Sequence, residues 1–205
     1  MKTLMICLLT IWSLSGLAQT PYEKAMTEGL ASWKAGKSQE AMATFERVAQ
    51  VEKDNWIPKY YQAMVGITNS FMMTNNEEKL KAIDAAKALI PKDEKSLNAE
   101  WYVLNALALT SELTIDPMAT AMTLSPQIME QYQKALALEP NNPRALSGMA
   151  DFSMQSKKYM GGDTKEECKQ LEKAVSLFDK EKNATKFYPS WGKERAAALL
   201  ASCKN

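Results

Sequence analysis

The stretch YQKALALEPNNP, residues 132–143, ends one predicted helix and begins the next. Its apolar residues recur at three- and four-residue spacing, which is the period of a helix with one buried face. Pro140 follows the last apolar residue, Leu138, and helices commonly stop just before a proline. Pro143 suits the first turn of the next helix, where a proline removes no hydrogen bond. The stretch therefore predicts two helices joined by a short turn.

The same spacing continues along nearly all of the chain after residue 18, and the alternating pattern of a strand is missing. Prolines and glycine or asparagine clusters interrupt it at regular distances, which marks the ends of successive helices. We therefore expect an all-α fold. The predicted helices cover residues 22–35, 38–52, 58–73, 76–89, 95–113, 126–138, 143–156, 164–181 and 189–203.

These helices form pairs with a shared pattern of small and large residues. The first helix of each pair carries a small residue, and the second carries a large one. A small residue lets the second helix approach closely, and the large side chain then fills the space above it. The small residues are Gly29, Gly66, Ala106 and Gly148, and the large ones are Phe45, Ile83, Tyr132 and Leu171.

The segment WKAGKSQEA, residues 33–41, followed by Phe45, and the boundary at 135–143 resemble the tetratricopeptide repeat (TPR) family. That family stacks repeats of about 34 residues, each made of two helices. The resemblance implies an α-α superhelix of about four hairpins, with 189–203 as a C-terminal capping helix. Residues 113–126 and 157–163 are additions to the repeat pattern, in the third and fourth pairs.

The first eighteen residues have the features of a cleaved signal peptide. Lys2 precedes an almost wholly apolar run from Leu4 to Trp12, and Gly16 and Ala18 form a small-residue cleavage box. We expect cleavage after Ala18, which leaves residues 19–205 as one exported domain, periplasmic or secreted. The run is shorter than the roughly 20 residues of a membrane-spanning helix, so we expect no stable membrane insertion. An uncleaved anchor is the alternative.

Charge and composition bear on the possible functions. The chain has 25 Lys and Arg and 24 Asp and Glu, and loss of Lys2 with the leader balances the two at 24 each. This balance argues against a nucleic-acid partner. The chain contains no histidine, which removes the commonest general base and metal ligand. Acid pairs such as Glu77 and Glu78 stand at predicted helix starts, where surface carboxylates are common. We therefore expect no enzyme activity, metal site or cofactor.

Sulfur-containing residues leave two questions open. Cys168 and Cys203 remain after cleavage, and we expect two free thiols, although an oxidising compartment would also permit a disulfide. The chain is rich in methionine, which serves either as an adaptable core residue or as a soft copper ligand. We favour core packing for these methionines, which include Met72, Met73, Met118, Met122, Met149, Met154 and Met160.

The TPR resemblance implies a groove, lined by the first helices of the pairs, that binds a peptide or an envelope protein. We therefore predict a non-catalytic interaction or scaffolding module with a protein or peptide partner. The alternative is a carrier of copper or a small molecule, with a site of methionines and aromatic residues near 113–126. The predicted groove residues are Glu23, Met26, Trp33, Tyr60, Ser70, Glu100, Val103, Thr110, Asn142, Met149 and Phe152.

Overall fold

The computed structural model describes residues 19–203, so the predicted signal peptide and its cleavage site lie outside the described residues. The all-α prediction is confirmed, because every regular element of the described residues is helical. A short 3-10 turn at Glu94–Ser96 precedes α5. The helices are α1 (Pro21–Lys34), α2 (Ser38–Val51), α3 (Trp56–Ser70), α4 (Asn76–Lys87), α5 (Ala99–Leu113), α6 (Pro117–Leu138), α7 (Pro143–Met160), α8 (Lys165–Lys180) and α9 (Lys193–Ser202).

Consecutive helices pack as four hairpins that follow one another along the chain. Helices α1 and α2 form the first hairpin, and α7 and α8 form the fourth. The first helices of neighbouring hairpins also touch, since α3 contacts α5 and α5 contacts α7. Helix α9 packs on α8 and α7 as the expected C-terminal cap. This arrangement is a TPR-like helical solenoid, as the repeat pattern predicted.

The predicted close contact within a hairpin is present at Gly29, whereas a Cβ atom placed on Gly66 would lie nearest Ala86, at 3.3 Å, rather than Ile83. A Cβ atom placed on Gly29 would lie 2.6 Å from Cε1 of Phe45, so only glycine fits against this ring. At Gly148, however, the nearest ring is Tyr132 of the preceding hairpin, and a Cβ atom placed there would again lie 2.6 Å from that ring. The small-to-large fit therefore joins neighbouring hairpins as well as the two helices within one.

Helix α6 is longer than predicted. The sequence indicated a helix from 126 and an additional stretch before it, whereas α6 begins at Pro117 and contains Pro126 in its interior. Pro126 is exposed, and the Gln127 side-chain amide donates to the Thr123 carbonyl at 3.0 Å, one turn back. A proline inside a helix removes one backbone hydrogen bond, and here the helix continues because its buried face, with Leu124 and Ile128, is uninterrupted.

The C-terminal region differs from the prediction in two respects. Helix α9 begins at Lys193 rather than 189, which leaves an irregular connection of residues 181–192 after α8. Cys168 and Cys203 form a disulfide with their Cα atoms 5.9 Å apart, so the expectation of free thiols is wrong. The start of α8 and the end of α9 meet at the same end of this helix pair, which brings the two sulfur atoms together.

Residues 19–203 contain no helix that is both long enough and apolar enough to cross a bilayer.

Candidate functional site

The connection of residues 181–192, called the strap below, crosses the first helices of the hairpins. Lys186 pairs with Glu23 of α1 at 2.6 Å, and the Phe187 ring packs edge-on against Tyr22 with centroids 5.6 Å apart. Tyr188 packs in the same way on Trp56 of α3, at 5.8 Å. The strap therefore covers part of the face on which a TPR array would hold a peptide.

Backbone geometry and packing hold the strap in one conformation. Phe187 has a φ of +62°, a left-handed conformation that non-glycine residues adopt at a cost and only where their surroundings enforce it. The Trp191 indole N–H donates to the Tyr60 hydroxyl at 2.8 Å. Because this bond links positions 131 residues apart, it fixes the end of the strap to the second hairpin.

A buried charge cluster lies beneath the strap, centred on Glu100 of α5. Arg144 of α7 donates from Nε to both Glu100 carboxylate oxygens at 2.9 Å. Asn142 Nδ2 donates to the same carboxylate at 2.7 Å, and the Tyr60 hydroxyl does so at 3.4 Å. The remaining Arg144 nitrogens form a bidentate pair with Glu181, at 2.6 and 3.0 Å, where the strap begins.

The environment changes the protonation behaviour of this cluster. Burial raises the pKa of Glu100, and the charge of Arg144 opposes that effect. Burial acts to lower the pKa of Arg144, but its bonds to Glu181 and the charge of Glu100 keep that pKa above the ordinary value. Burial also raises the pKa of Tyr60, which stays a neutral hydrogen-bond donor. Every nitrogen of the guanidinium group is engaged within the protein, and the cluster serves to join hairpins.

Two open clefts flank the strap at Tyr188. The larger, about 510 Å³, lies between the strap, α1, α3 and α8, and the smaller, about 400 Å³, lies beside Pro140 and Arg144. Lys186 and Lys193 stand at the larger cleft, each already paired with a carboxylate. Its floor is formed by the rings of Tyr61 and Phe178, which are only 4% and 7% exposed. The cleft thus offers polar walls, and its free apolar surface comes from the half-buried Leu30, Phe187 and Tyr188.

The predicted groove residues divide into two sets in the structure. Glu100, Tyr60 and Asn142 do come together, but in the buried cluster, where no partner can reach them in this conformation. These residues are buried because they lie on the side of the first helices that faces the core. The buried set is Met26, Tyr60, Ser70, Glu100, Val103 and Asn142, and the half-buried set is Glu23, Trp33, Thr110, Met149 and Phe152.

Several residues of this region were not predicted. Arg144 and Glu181 were not identified because charged residues in a helical sequence normally lie on the surface. Trp191 was hidden by the prediction of a helix over 189–203, and Tyr188 was placed in the turn just before that helix. The signal that could have found them is the segment FYPSW, 187–191, where three aromatic residues surround a proline. Such a composition is unusual for a solvated loop.

A second feature is an exposed cluster where the start of α6, in the third hairpin, lies beside the end of α7, in the fourth. We call it the Met–Tyr patch, comprising Met118, Met122, Tyr159 and Met160. The Tyr159 hydroxyl lies 3.7 Å from Sδ of Met118, which joins the start of α6 to the end of α7. Core packing was expected for these methionines, and that expectation is wrong for Met72, Met118, Met122 and Met160, which are exposed. It holds for Met154, which is buried.

The described residues include no group of three or more Cys, Asp or Glu side chains placed to hold a metal ion. With Cys168 and Cys203 joined, the accessible donors that remain in this part of the chain are thioethers, phenols, lysines and scattered carboxylates.

Comparison with known proteins finds similar folds among solved structures. The sequence matches no protein-family model, and no curated protein is significantly similar to it. Among solved structures, the HusA haemophore from Porphyromonas gingivalis has a TM-score of 0.79 at 26% identity, over 90% of this chain and 94% of that one. MamA from Desulfovibrio magneticus RS-1 has a TM-score of 0.45 at 18% identity, covering 79% of this chain and 78% of that one. The TPR protein TTC0263 of Thermus thermophilus has 0.37 at 15% identity, covering 89% and 98%.

The fold is TPR-like. The match to HusA spans nearly the whole of both chains, and that protein is a haemophore, a non-enzymatic binding protein. Together with the helical-repeat architecture, this similarity supports a binding role in general.

Proposed function

We propose that this chain is an exported, non-catalytic binding protein whose ligand is a flat, mainly apolar molecule of the porphyrin class. The observation that carries the proposal is the similarity to the HusA haemophore, at a TM-score of 0.79 over 90% of this chain. Fold alone does not imply function. The exposed apolar surface of the Met–Tyr patch provides independent support, because soluble proteins seldom expose clusters of large apolar side chains without a binding role.

The proposal follows the carrier alternative of the sequence analysis more closely than the peptide groove. That alternative placed a site near 113–126, and Met118 and Met122 lie in this range. The peptide groove has less support because the strap lies across the first helices α1 and α3. A peptide could reach that face only by sharing it with the strap or displacing it.

Haemin binding tests the proposal directly. Purified mature protein, residues 19–205, is titrated with haemin while the tryptophan fluorescence and the haemin absorption spectrum are recorded. We expect saturable one-to-one binding and a rise in melting temperature with haemin concentration, because a ligand of the native state stabilises it. A spectrum and a melting temperature that stay unchanged at haemin concentrations far above micromolar would overturn the proposal.

A protein partner is the second candidate function. It is favoured by the half-buried residues Trp33, Met149 and Phe152 on the first helices, because partly exposed aromatic residues often dominate recognition. Mature protein used as bait should then retain one defined envelope protein, and Trp33→Ala should weaken the capture. If the wild-type protein and the Trp33→Ala variant capture the same amount of this protein, Trp33 is not part of the interface.

Export is part of the proposal and has its own test. The apolar run before Ala18 and the small residues of its cleavage box support processing at that point. Expression of the full chain in a bacterial host, followed by mass spectrometry of the periplasmic and medium fractions, should give a product that begins at Gln19. Retention of the complete chain in the cytoplasm or the membrane would contradict it.

A further inference from the structure

We propose that the Met–Tyr patch is the surface on which the flat apolar ligand binds. The inference rests on the proposed function and adds the location of the site and its mode of recognition. A porphyrin has an apolar, aromatic face and carboxylates at its edge. The methionines and Tyr159 of the patch can contact the face, and a lysine next to the patch can pair with a carboxylate.

Four of the nine large apolar side chains that are exposed in the described residues belong to the patch. Met118 is 83% exposed, Met122 93%, Tyr159 84% and Met160 74%. The others lie outside the patch, at the ends of α2, α3 and α6 or within α4, and they are Val51, Phe71, Met72, Leu80 and Leu138. Met118 and Met122 are four residues apart on α6 and therefore lie on one face of that helix. The contact between Met118 and Tyr159 brings the start of α6 and the end of α7 together.

The side chains of the patch suit a flat aromatic partner. Methionine is flexible and polarisable, adapts to the shape of its partner, and makes favourable contacts with aromatic rings. Tyr159 supplies a further ring with a polar end, a combination that is common in binding surfaces. Burial of this surface by a ligand would remove four large side chains from water, and apolar burial is the main favourable contribution to such binding.

Charge next to the patch suits the carboxylates of the ligand. Lys157 and Lys158 occupy the last turn of α7, directly before Tyr159. Lys157 pairs with Glu167 at 2.8 Å, whereas Lys158 forms no ion pair with any residue in the 19–203 range. Lys158 can therefore pair with a carboxylate at the edge of a ligand that lies on the patch.

The larger strap cleft is the competing location, and its surface fits this ligand less well. Its aromatic floor is nearly inaccessible, as the low exposure of Tyr61 and Phe178 shows. Its lysines, Lys186 and Lys193, already pair with Glu23 and Asp179. A flat ligand would bury less apolar surface there than on the Met–Tyr patch.

The test compares three variants with the wild-type mature protein in the haemin titration. Met118→Glu combined with Met122→Glu places charge on the patch. Met72→Glu is the matched control, because Met72 is 82% exposed but lies just after α3, outside the patch. Lys186→Glu combined with Lys193→Glu alters the cleft instead. All substituted positions lie at or near the surface, so circular dichroism and melting curves should show intact folds.

We expect the patch variant to raise the haemin dissociation constant at least tenfold, and the control and cleft variants to change it less than threefold. Lys158→Gln should weaken binding by a smaller factor and lower its salt dependence. If the patch variant binds haemin as tightly as the wild-type protein, or if only the cleft variant loses binding, the proposed location is overturned. The proposed function is left intact by either result. Absence of haemin binding by the wild-type protein overturns both.

Discussion

At the scale of single residues, Glu100 and Arg144 link the hairpins. Their side chains are almost completely buried, and each of their polar atoms has a partner in the same cluster. A buried ion pair contributes little net stability compared with apolar packing, but removal of one member leaves an unpaired buried charge. Arg144 bonds to both Glu100 and Glu181, so it joins α5, α7 and the strap.

We predict that Glu100→Gln lowers the free energy of unfolding by about 3 kcal/mol, near the lower end of the range for breaking a buried pair, because Glu181 still neutralises Arg144. Lys37→Gln is the control, since Lys37 and Glu40 form an exposed pair whose loss costs about 0–1 kcal/mol. Both values come from urea denaturation at neutral pH. Equal effects of the two substitutions would show that the cluster is not a structural link.

At the scale of elements, the strap is positioned by aromatic packing and hydrogen bonds rather than by its exposed charges. It lies between α8 and α9, inside the loop closed by the Cys168–Cys203 disulfide. That disulfide joins the start of α8 to the end of α9 and thereby limits the positions that α9 can reach. The strap then needs only a few anchors, such as the hydrogen bond from Trp191 to the buried Tyr60 and the pair of Glu181 with Arg144.

We predict that Trp191→Phe destabilises the protein by about 1–2 kcal/mol, because it removes a neutral hydrogen bond and some apolar contact. Lys186→Ala should cost less than that, since more than half of the Lys186 side chain is exposed and such surface pairs contribute little. Hydrogen exchange should show faster exchange of strap amides in the Trp191 variant only. Faster exchange in the Lys186 variant instead would identify the ion pair as the main anchor.

At the scale of the whole molecule, buried tyrosines couple the stability of the fold to alkaline pH. Burial raises the pKa of Tyr61 to about 12 from its ordinary value of 10.0, and it also raises those of Tyr60, Tyr132 and Tyr188. Each of these phenols therefore keeps its proton in the folded chain at a pH where the unfolded chain has released it. The stability that results is complete below pH 10 and is lost as the pH rises further.

We predict that the melting temperature stays nearly constant up to about pH 9 and then falls steeply between about pH 10 and 12. Tyr61→Phe removes one such group at little steric cost and should make the fall less steep. Melting curves at constant ionic strength, with the tyrosinate absorption recorded in parallel, test this. Ionisation of all the tyrosines near pH 10 without unfolding would contradict it.

The repeat pattern determined the helical hairpins. Apolar spacing defines which face of a helix is buried, and Gly29 opposite Phe45 was recognisable because hairpin partners are close in sequence. The pairing of Gly148 with Tyr132 was not recognisable, because it depends on how neighbouring hairpins stack. Pro126 misplaced the start of α6, since local propensity placed a helix start at this proline, whereas the packing of Leu124 and Ile128 continues the helix on both sides of it.

The sites were decided at the tertiary level. The periodicity of apolar residues along a helix does not reveal which first-helix residues face the neighbouring hairpin. For this reason the sequence analysis placed Tyr60, Glu100 and Asn142 in a groove, although they are buried. The position of the strap depends on bonds between residues far apart in sequence, such as Trp191 and Tyr60. The exposure of Met118 and Tyr159 depends on how the third and fourth hairpins stack, which leaves the start of α6 and the end of α7 uncovered. Local periodicity determines the helices because it acts within a few turns, whereas a binding surface depends on which helix ends remain uncovered after stacking.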